Sequence, residues 1–164
     1  MKIYWLNHES VSGLGMTPRP KGYSDLEHEI QKLKSEGVTY LVSALTKQEI
    51  NEFGLRETEV ICREQGIIFF HFPILDMQIP DSKIEYLKLV KKLSSLIEEN
   101  QKLVVHCRQG IGRSSLLAAG ILMNKGLSLE KTLKLLKESR GRDVPETRPQ
   151  LSFLKGVEES IFWA

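Results

Sequence analysis

The stretch LVVHCRQGIGRSSLLAAG, residues 103–120, sets a histidine, a cysteine, two glycines and two arginines between two apolar runs. The first run, KLVVH, is short and apolar without alternation, the pattern of a central strand buried on both faces. From Arg113 to Asn124 the chain reads as a helix closed by Lys125 and Gly126. The junction between them is therefore a strand, a tight glycine-containing loop and a helix N-terminus. Such a turn gathers backbone N–H groups and the positive end of a helix at one place, which suits a tetrahedral oxyanion. Gly110 and Gly112 let the loop curl, and five residues after Cys107 the guanidinium of Arg113 can grip two oxygens of the same bound group. A free thiol, with a pKa of ~8.5, is mostly protonated near neutrality, but neighbouring cations and a helix N-terminus favour the thiolate.

Outward from this junction, strand-like and helical runs alternate, the order of an α/β domain. KIYWL reads as a first strand and the segment SGLGMTPRPKG, residues 12–22, as a loop. Ser24 and Glu27 form a capping-box pattern for a helix carrying Leu26, Ile30 and Leu33 and closing at Gly37. VTYLVSAL follows as a strand, then a capped turn from Thr46 and Glu49 to Gly54, a helix in LRETEVICREQG and a strand, IIFFHFP, ended by Pro73. From Ser82 a long helix places Ile84, Leu87, Val90 and Ile97 on one side, with Leu89, Leu93 and Leu96 widening the stripe. Two more helices, near Leu129–Arg140 and Pro149–Phe162, complete the chain. The expected fold is a single α/β domain over residues 1–164, with a central, mostly parallel or mixed sheet of four to five strands and helices on both faces.

Composition excludes several classes. With 23 basic against 21 acidic residues the net charge is +2, without a basic block, so neither nucleic acid nor an anionic membrane is called for as a partner. The N-terminus lacks the apolar core of a secretory signal, and the run Leu116–Met123 is too short to span a bilayer, so a cytoplasmic location is expected. Cys62 and Cys107 show neither metal-ligand spacing nor a disulfide framework, and no cofactor is expected.

HCRQGIGRS, with its preceding strand and following helix, resembles the His-Cys-x5-Arg-Ser/Thr signature loop of cysteine-dependent protein tyrosine and dual-specificity phosphatases. The similarity extends over most of the chain and is greatest to the small, kinase-associated-phosphatase-like class and bacterial relatives. It implies a phosphomonoester hydrolase working through a phosphocysteine intermediate, with Cys107 as nucleophile and Arg113 as phosphate clamp. The substrate phosphate would be bound by residues 108–113, that is Arg108, Gln109, Gly110, Ile111, Gly112 and Arg113. Ser114 resembles the family hydroxyl that eases departure of the sulfur, and His106 the residue that orders the loop beneath the cysteine. The family's general acid lies on a separate loop about thirty residues upstream, where FPILDMQIPD offers Asp76. Asp81 competes, but its place before Ser82 already suits a helix start, and Asp76 is preferred.

Gln150 falls where related enzymes often carry a glutamine that positions the hydrolytic water, although Thr147 and Gln150 also make a capping box, the reading preferred here. Arg19, Arg142 and Arg148 are candidates for the rim, and Cys62 for a core position. The expected substrate is a phosphorylated protein or peptide, phosphotyrosine or mixed, acted on by a monomer. Phosphoinositide or small-molecule phosphates on the same fold are the alternative. A rhodanese-type sulfurtransferase fits less well, because its loop has one residue fewer between Cys and Arg, and a non-catalytic phospho-binding module has no use for an acid beside a nucleophile.

Overall fold

The computed structural model describes residues 1–98 and 100–163. Its elements in chain order are β1 (Tyr4–His8), β2 (Val11–Thr17), α1 (Leu26–Ser35), β3 (Tyr40–Ser43), α2 (Lys47–Glu52), α3 (Thr58–Glu64), β4 (Ile68–His71), α4 (Lys83–Leu96), β5 (Leu103–His106), α5 (Gly112–Asn124), α6 (Leu129–Arg140) and α7 (Arg148–Phe162). The strands form one mixed sheet in the order β1-β2-β5-β3-β4, antiparallel only between β1 and β2. This agrees with the expected α/β architecture.

Alternation along the strands supplies both faces. Val42 and Val105, with Leu14 and Met16, join the larger core under α4, α5, α6 and α7, whereas Leu41 and Val104 join the smaller core with residues of α1 and α3. All four residues of β5 are buried, as its uninterrupted apolar character requires. Helix α5 is buried from Gly112 to Met123, which fixes its N-terminus against the end of β5. No described helix is long and apolar enough to cross a membrane.

Three local expectations are corrected. Residues 12–17, read as loop, belong to β2 (Val11–Thr17), with Leu14 and Met16 fully buried. The glycines that suggested a loop serve close packing instead: a Cβ on Gly15 would lie 2.7 Å from Ile3 Cγ2 and 2.9 Å from the Trp5 ring, so side chains of β1 and the residue before it lie across the bare backbone. The Ser24–Glu27 capping box does not form; a 3-10 turn, Tyr23–Asp25, leads into α1 without a side-chain cap. On α4, Ile84 is 67% exposed, whereas Val90, Leu93 and Ile97 of the expected stripe are buried and Tyr86 joins them. Tyr86 reaches α5, donating its hydroxyl to the Leu116 carbonyl at 2.6 Å.

Candidate active site

Strand β5 delivers His106 and Cys107 to the C-terminal edge of the sheet, and the loop 107–111 leads into α5. His106 is buried, with Nδ1 3.2 Å from the Cys107 carbonyl oxygen. Burial, reinforced by the charges of Arg113, His71 and Arg19, pushes its pKa down to about 4, so it is a neutral support rather than a proton carrier near neutrality. Cys107 Sγ lies 3.4 Å from Ser114 Oγ.

The loop's carbonyls are held from outside. The Arg19 N–H donates to the Arg108 carbonyl at 3.2 Å. Arg140, at the end of α6, donates Nε to the Gly110 carbonyl at 2.8 Å and Nη2 to the Gln109 carbonyl at 3.5 Å, while its guanidinium stacks 3.8 Å above the Tyr4 ring. In a planar trans peptide the following N–H points opposite to the carbonyl. The N–H groups of Gln109, Gly110 and Ile111 therefore point away from these arginines, and none has a protein acceptor among the described residues. They are left as three unpaired donors on successive residues of the loop. Gly110 is required here: its φ is 69°, and a Cβ would lie 2.6 Å from the Thr17 carbonyl carbon.

Arg113 is 1% exposed, and Glu49 supplies the charge that makes this burial tolerable. Its Nη1 and Nη2 donate to the two Glu49 carboxylate oxygens at 2.7 and 2.8 Å, and Nη1 also donates to the Ile74 carbonyl at 2.9 Å. Burial alone would lower the Arg113 pKa, but the Glu49 hydrogen bonds and the charges of Cys107, Glu49 and Asp76 outweigh it and raise the value. Burial likewise tends to raise the pKa of Glu49, and the bonds from Arg113 and Thr46 reverse the sign, holding it below the usual carboxylate range. The Thr46–Glu49 capping box is present as expected, but the second task of Glu49 was not foreseen. The available signal was Arg113 itself, since a buried guanidinium demands a carboxylate.

Asp76 sits in the β4–α4 loop, half exposed, with Oδ1 3.1 Å from Arg113 Nη2 and Oδ2 4.0 Å from Arg108 Nη1. It lines a cleft of about 100 Å³ together with Met77, Cys107, Arg108, Gln109, Gly112, Arg113 and Glu146. Asp81 is exposed and outside this cleft, and the neighbouring Ser82 caps α4 by accepting from the Glu85 N–H. Of the loop residues expected to bind phosphate, Ile111 turns its side chain into the larger core, leaving its N–H as its contribution.

Gln150 is fully buried. Its Oε1 accepts from the N–H groups of Glu146 and Thr147, and its Nε2 donates to the Gln78 carbonyl at 3.1 Å, tying the start of α7 to the Asp76 loop. The capping-box reading holds. Arg142 and Arg148 are exposed and do not line the cleft, and Arg19 stacks 4.1 Å from the Phe53 ring beside Arg108. Arg140 and Glu146 went unnoticed in the sequence. Cys62 belongs to the smaller core, on the opposite face of the sheet from Cys107, and burial, with a lesser effect from Glu59, pushes its thiol up to about 12. Among the described residues, no group of three or more His, Cys, Asp or Glu is placed to hold a metal ion.

Residues 14–127 match the family described as "Polymorphic toxin system, DSP-PTPase phosphatase". The chain is 28% identical to cyclin-dependent kinase inhibitor 3 of Rattus norvegicus over 98% of its own length and 80% of the relative's. It is 33% identical to the putative tyrosine phosphatase 197R of Invertebrate iridescent virus 6, over 81% of this chain and 47% of the viral protein. Among solved structures, kinase associated phosphatase superposes with a TM-score of 0.86 at 23% identity, over 100% of this chain and 97% of the other. Tk-PTP superposes with a TM-score of 0.79 at 24% identity, over 97% of each chain. A cysteine loop closed by a buried arginine, on a sheet shared with these phosphatases and within a matched segment that covers most of the sequence, makes the chain a member of the DSP-PTPase family of cysteine-dependent phosphatases.

Proposed function

We propose that the protein hydrolyses phosphate monoesters of proteins, phosphotyrosine above all, through a phosphocysteine intermediate. The observation that carries this reading is the convergence on one cleft of Cys107 and Arg113, from the loop and helix after β5, and Asp76, from the loop after β4. Cys107 as thiolate attacks phosphorus, and the N–H groups of Gln109, Gly110 and Ile111 with Arg113 hold the equatorial oxygens. Asp76 gives a proton to the departing phenolic oxygen. The Ser114 hydroxyl, 3.4 Å from Sγ, stabilises the sulfur as it leaves in the second step.

The rim supports a phosphoprotein over a polyanionic lipid headgroup. Arg108 is the one cation at the mouth beyond Arg113 among the residues lining the cleft, and the carboxylates of Asp76 and Glu146 stand beside it. Further phosphates on an inositol ring would meet those carboxylates. Two unpaired thiols suit a reducing compartment, which supports action in the cytoplasm.

Turnover on phosphopeptides, phosphoinositides and sugar phosphates, without added metal, tests the reading. Phosphotyrosine peptides should be turned over fastest, and Cys107→Ser should bind phosphate without turnover. Arg113→Lys should lose both, because an ammonium lacks the bidentate fork. Turnover by Cys107→Ser would refute the mechanism, and preference for the inositol lipids would refute the substrate class.

A further inference from the structure

The parallel strands β3, β4 and β5 end in register at Ser43, His71 and His106, so these side chains stand in a row on one face of the sheet. It is the face of Leu41 and Val104, opposite the one on which Cys107 joins the larger core. Beside the row, against α2 and the start of α3, lies a cavity of about 160 Å³. Open α/β sheets hold ligands beyond the carboxyl ends of their strands, and this edge carries two such spaces, the Cys107 cleft and this cavity.

The cavity offers three kinds of contact. His106, only 1% exposed, lines it with a ring whose Nδ1 sits on the Cys107 carbonyl and whose Nε2 has no partner among the described residues. Near neutrality the ring keeps its single proton on the nitrogen that faces the carbonyl, which leaves Nε2 a lone pair with which to accept. Among the described residues only Thr132 Oγ1 is a side-chain polar atom both shut off from solvent and unpartnered, so Nε2 is open to the cavity. Leu55, Ile50 and Phe69 give an apolar wall, and the rings of Phe69 and His71 stack at 6.5 Å and 17°, which makes that wall flat. Exposed at the mouth, Lys47 and Arg56 form no ion pair among the described residues and outnumber one carboxylate, Glu59.

We infer that the cavity binds a small hydroxylated organic anion, with its carboxylate at Lys47 and Arg56, its apolar body against Leu55 and Phe69, and its hydroxyl donating to His106 Nε2. A dry protein cavity of roughly 150 Å³ takes benzene, so one small ring fills this one. The occupant reaches Cys107 through a single imidazole. When Nε2 accepts a hydrogen bond, Nδ1–H becomes a stronger donor and polarises the Cys107 carbonyl further. A molecule on one face of the sheet is thereby felt by the thiol on the other.

Titration of the full chain with 3- and 4-hydroxybenzoate, followed by calorimetry and by the nitrogen-15 resonance of His106 Nε2, tests this site. Both readouts report binding whether or not the chain hydrolyses phosphate esters. Dissociation constants of about 1 mM or below are expected, with a shift of the Nε2 resonance. Benzoate, without the hydroxyl, and phenol, without the carboxylate, should bind about tenfold more weakly. The double variant Lys47→Ala, Arg56→Ala should bind the hydroxybenzoates about tenfold more weakly, bind phenol as before and turn over p-nitrophenyl phosphate at the wild-type rate. The acids should still bind when inorganic phosphate fills the Cys107 cleft. Mutual exclusion with phosphate would place them in that cleft and overturn the site, as would absence of binding, an unmoved Nε2 resonance or full affinity in the double variant. Saturating acid should change the rate of Cys107 alkylation by iodoacetamide at least twofold in wild type. An unchanged rate would overturn the link between the two faces.

Discussion

Both carboxylate oxygens of Glu49 face the two terminal nitrogens of Arg113, at 2.7 and 2.8 Å, although the residues belong to different helices. One carboxylate thereby caps α2 and orients the Arg113 guanidinium at the head of α5. Removing one partner of a buried pair leaves the other charge uncompensated, at a cost of about 3–5 kcal/mol. Glu49→Ala should lose stability on that scale in urea unfolding, and raise KM for every phosphate ester alike. A variant that melts normally and binds phosphate normally would show that Arg113 needs no such support.

Acid should weaken the fold through two groups of the same site. The Glu49 pKa is held low in the folded state, so its stabilisation is complete above the ordinary carboxylate range and is lost as pH falls through the folded value. His106 is depressed from 6.5 to about 4. Below 6.5 the unfolded chain takes up a proton there that the fold refuses, so stability declines between 6.5 and about 4, by roughly 3 kcal/mol at most. Urea midpoints across that window should fall in wild type and fall less in His106→Asn. Equal slopes in the two proteins would mean that His106 is not the group responsible.

The two thiols should behave differently. Iodoacetamide at neutral pH should modify Cys107, in the cleft beside Arg113, and abolish activity while Cys62 remains a free thiol. Peroxide should inactivate the protein by oxidising Cys107 to the sulfenic acid, with recovery by added thiol early in exposure. Peptide mapping should find no Cys62–Cys107 disulfide, because the sheet stands between them.

Asp76→Asn should reduce kcat by ~10²-fold for phosphotyrosine, whose leaving group needs a proton, and much less for activated aryl phosphates. Asp81→Asn should leave both activities intact and change stability by about 1 kcal/mol or less. The reverse pattern would exchange the two residues.

What the sequence revealed was what local order records. Cys107, Arg113 and Ser114 lie within one short loop-to-helix segment, and Asp76 follows a strand at a characteristic distance, so all four were legible. Glu49, Arg140 and Glu146 were not, because each meets the loop only through the packing of remote elements. The fold shows the same division. Apolar runs and caps revealed β5 and α2, whereas β2 hid behind Gly13 and Gly15, whose bare backbones make sense only once the Gln101–Lys102 backbone is seen against the first and the Ile3 and Trp5 side chains across the second. Ile84 kept the helical period but fell off the buried face, since periodicity gives the spacing of a stripe and not which neighbours cover it.

The brace formed by Arg140 changes what counts as the minimal enzyme. The segment shared with the family stops at residue 127, yet the side chain that holds the Gln109 and Gly110 carbonyls, and the Tyr4 ring on which it rests, lie on either side of that segment. A fragment trimmed to the shared core would keep every residue of the signature and lose the anchor that turns its peptide planes. The outermost parts of the chain are thus the scaffold of the loop's polarity, and trimming the protein to the shared core should disarm the loop while Cys107, Arg113 and Asp76 all remain.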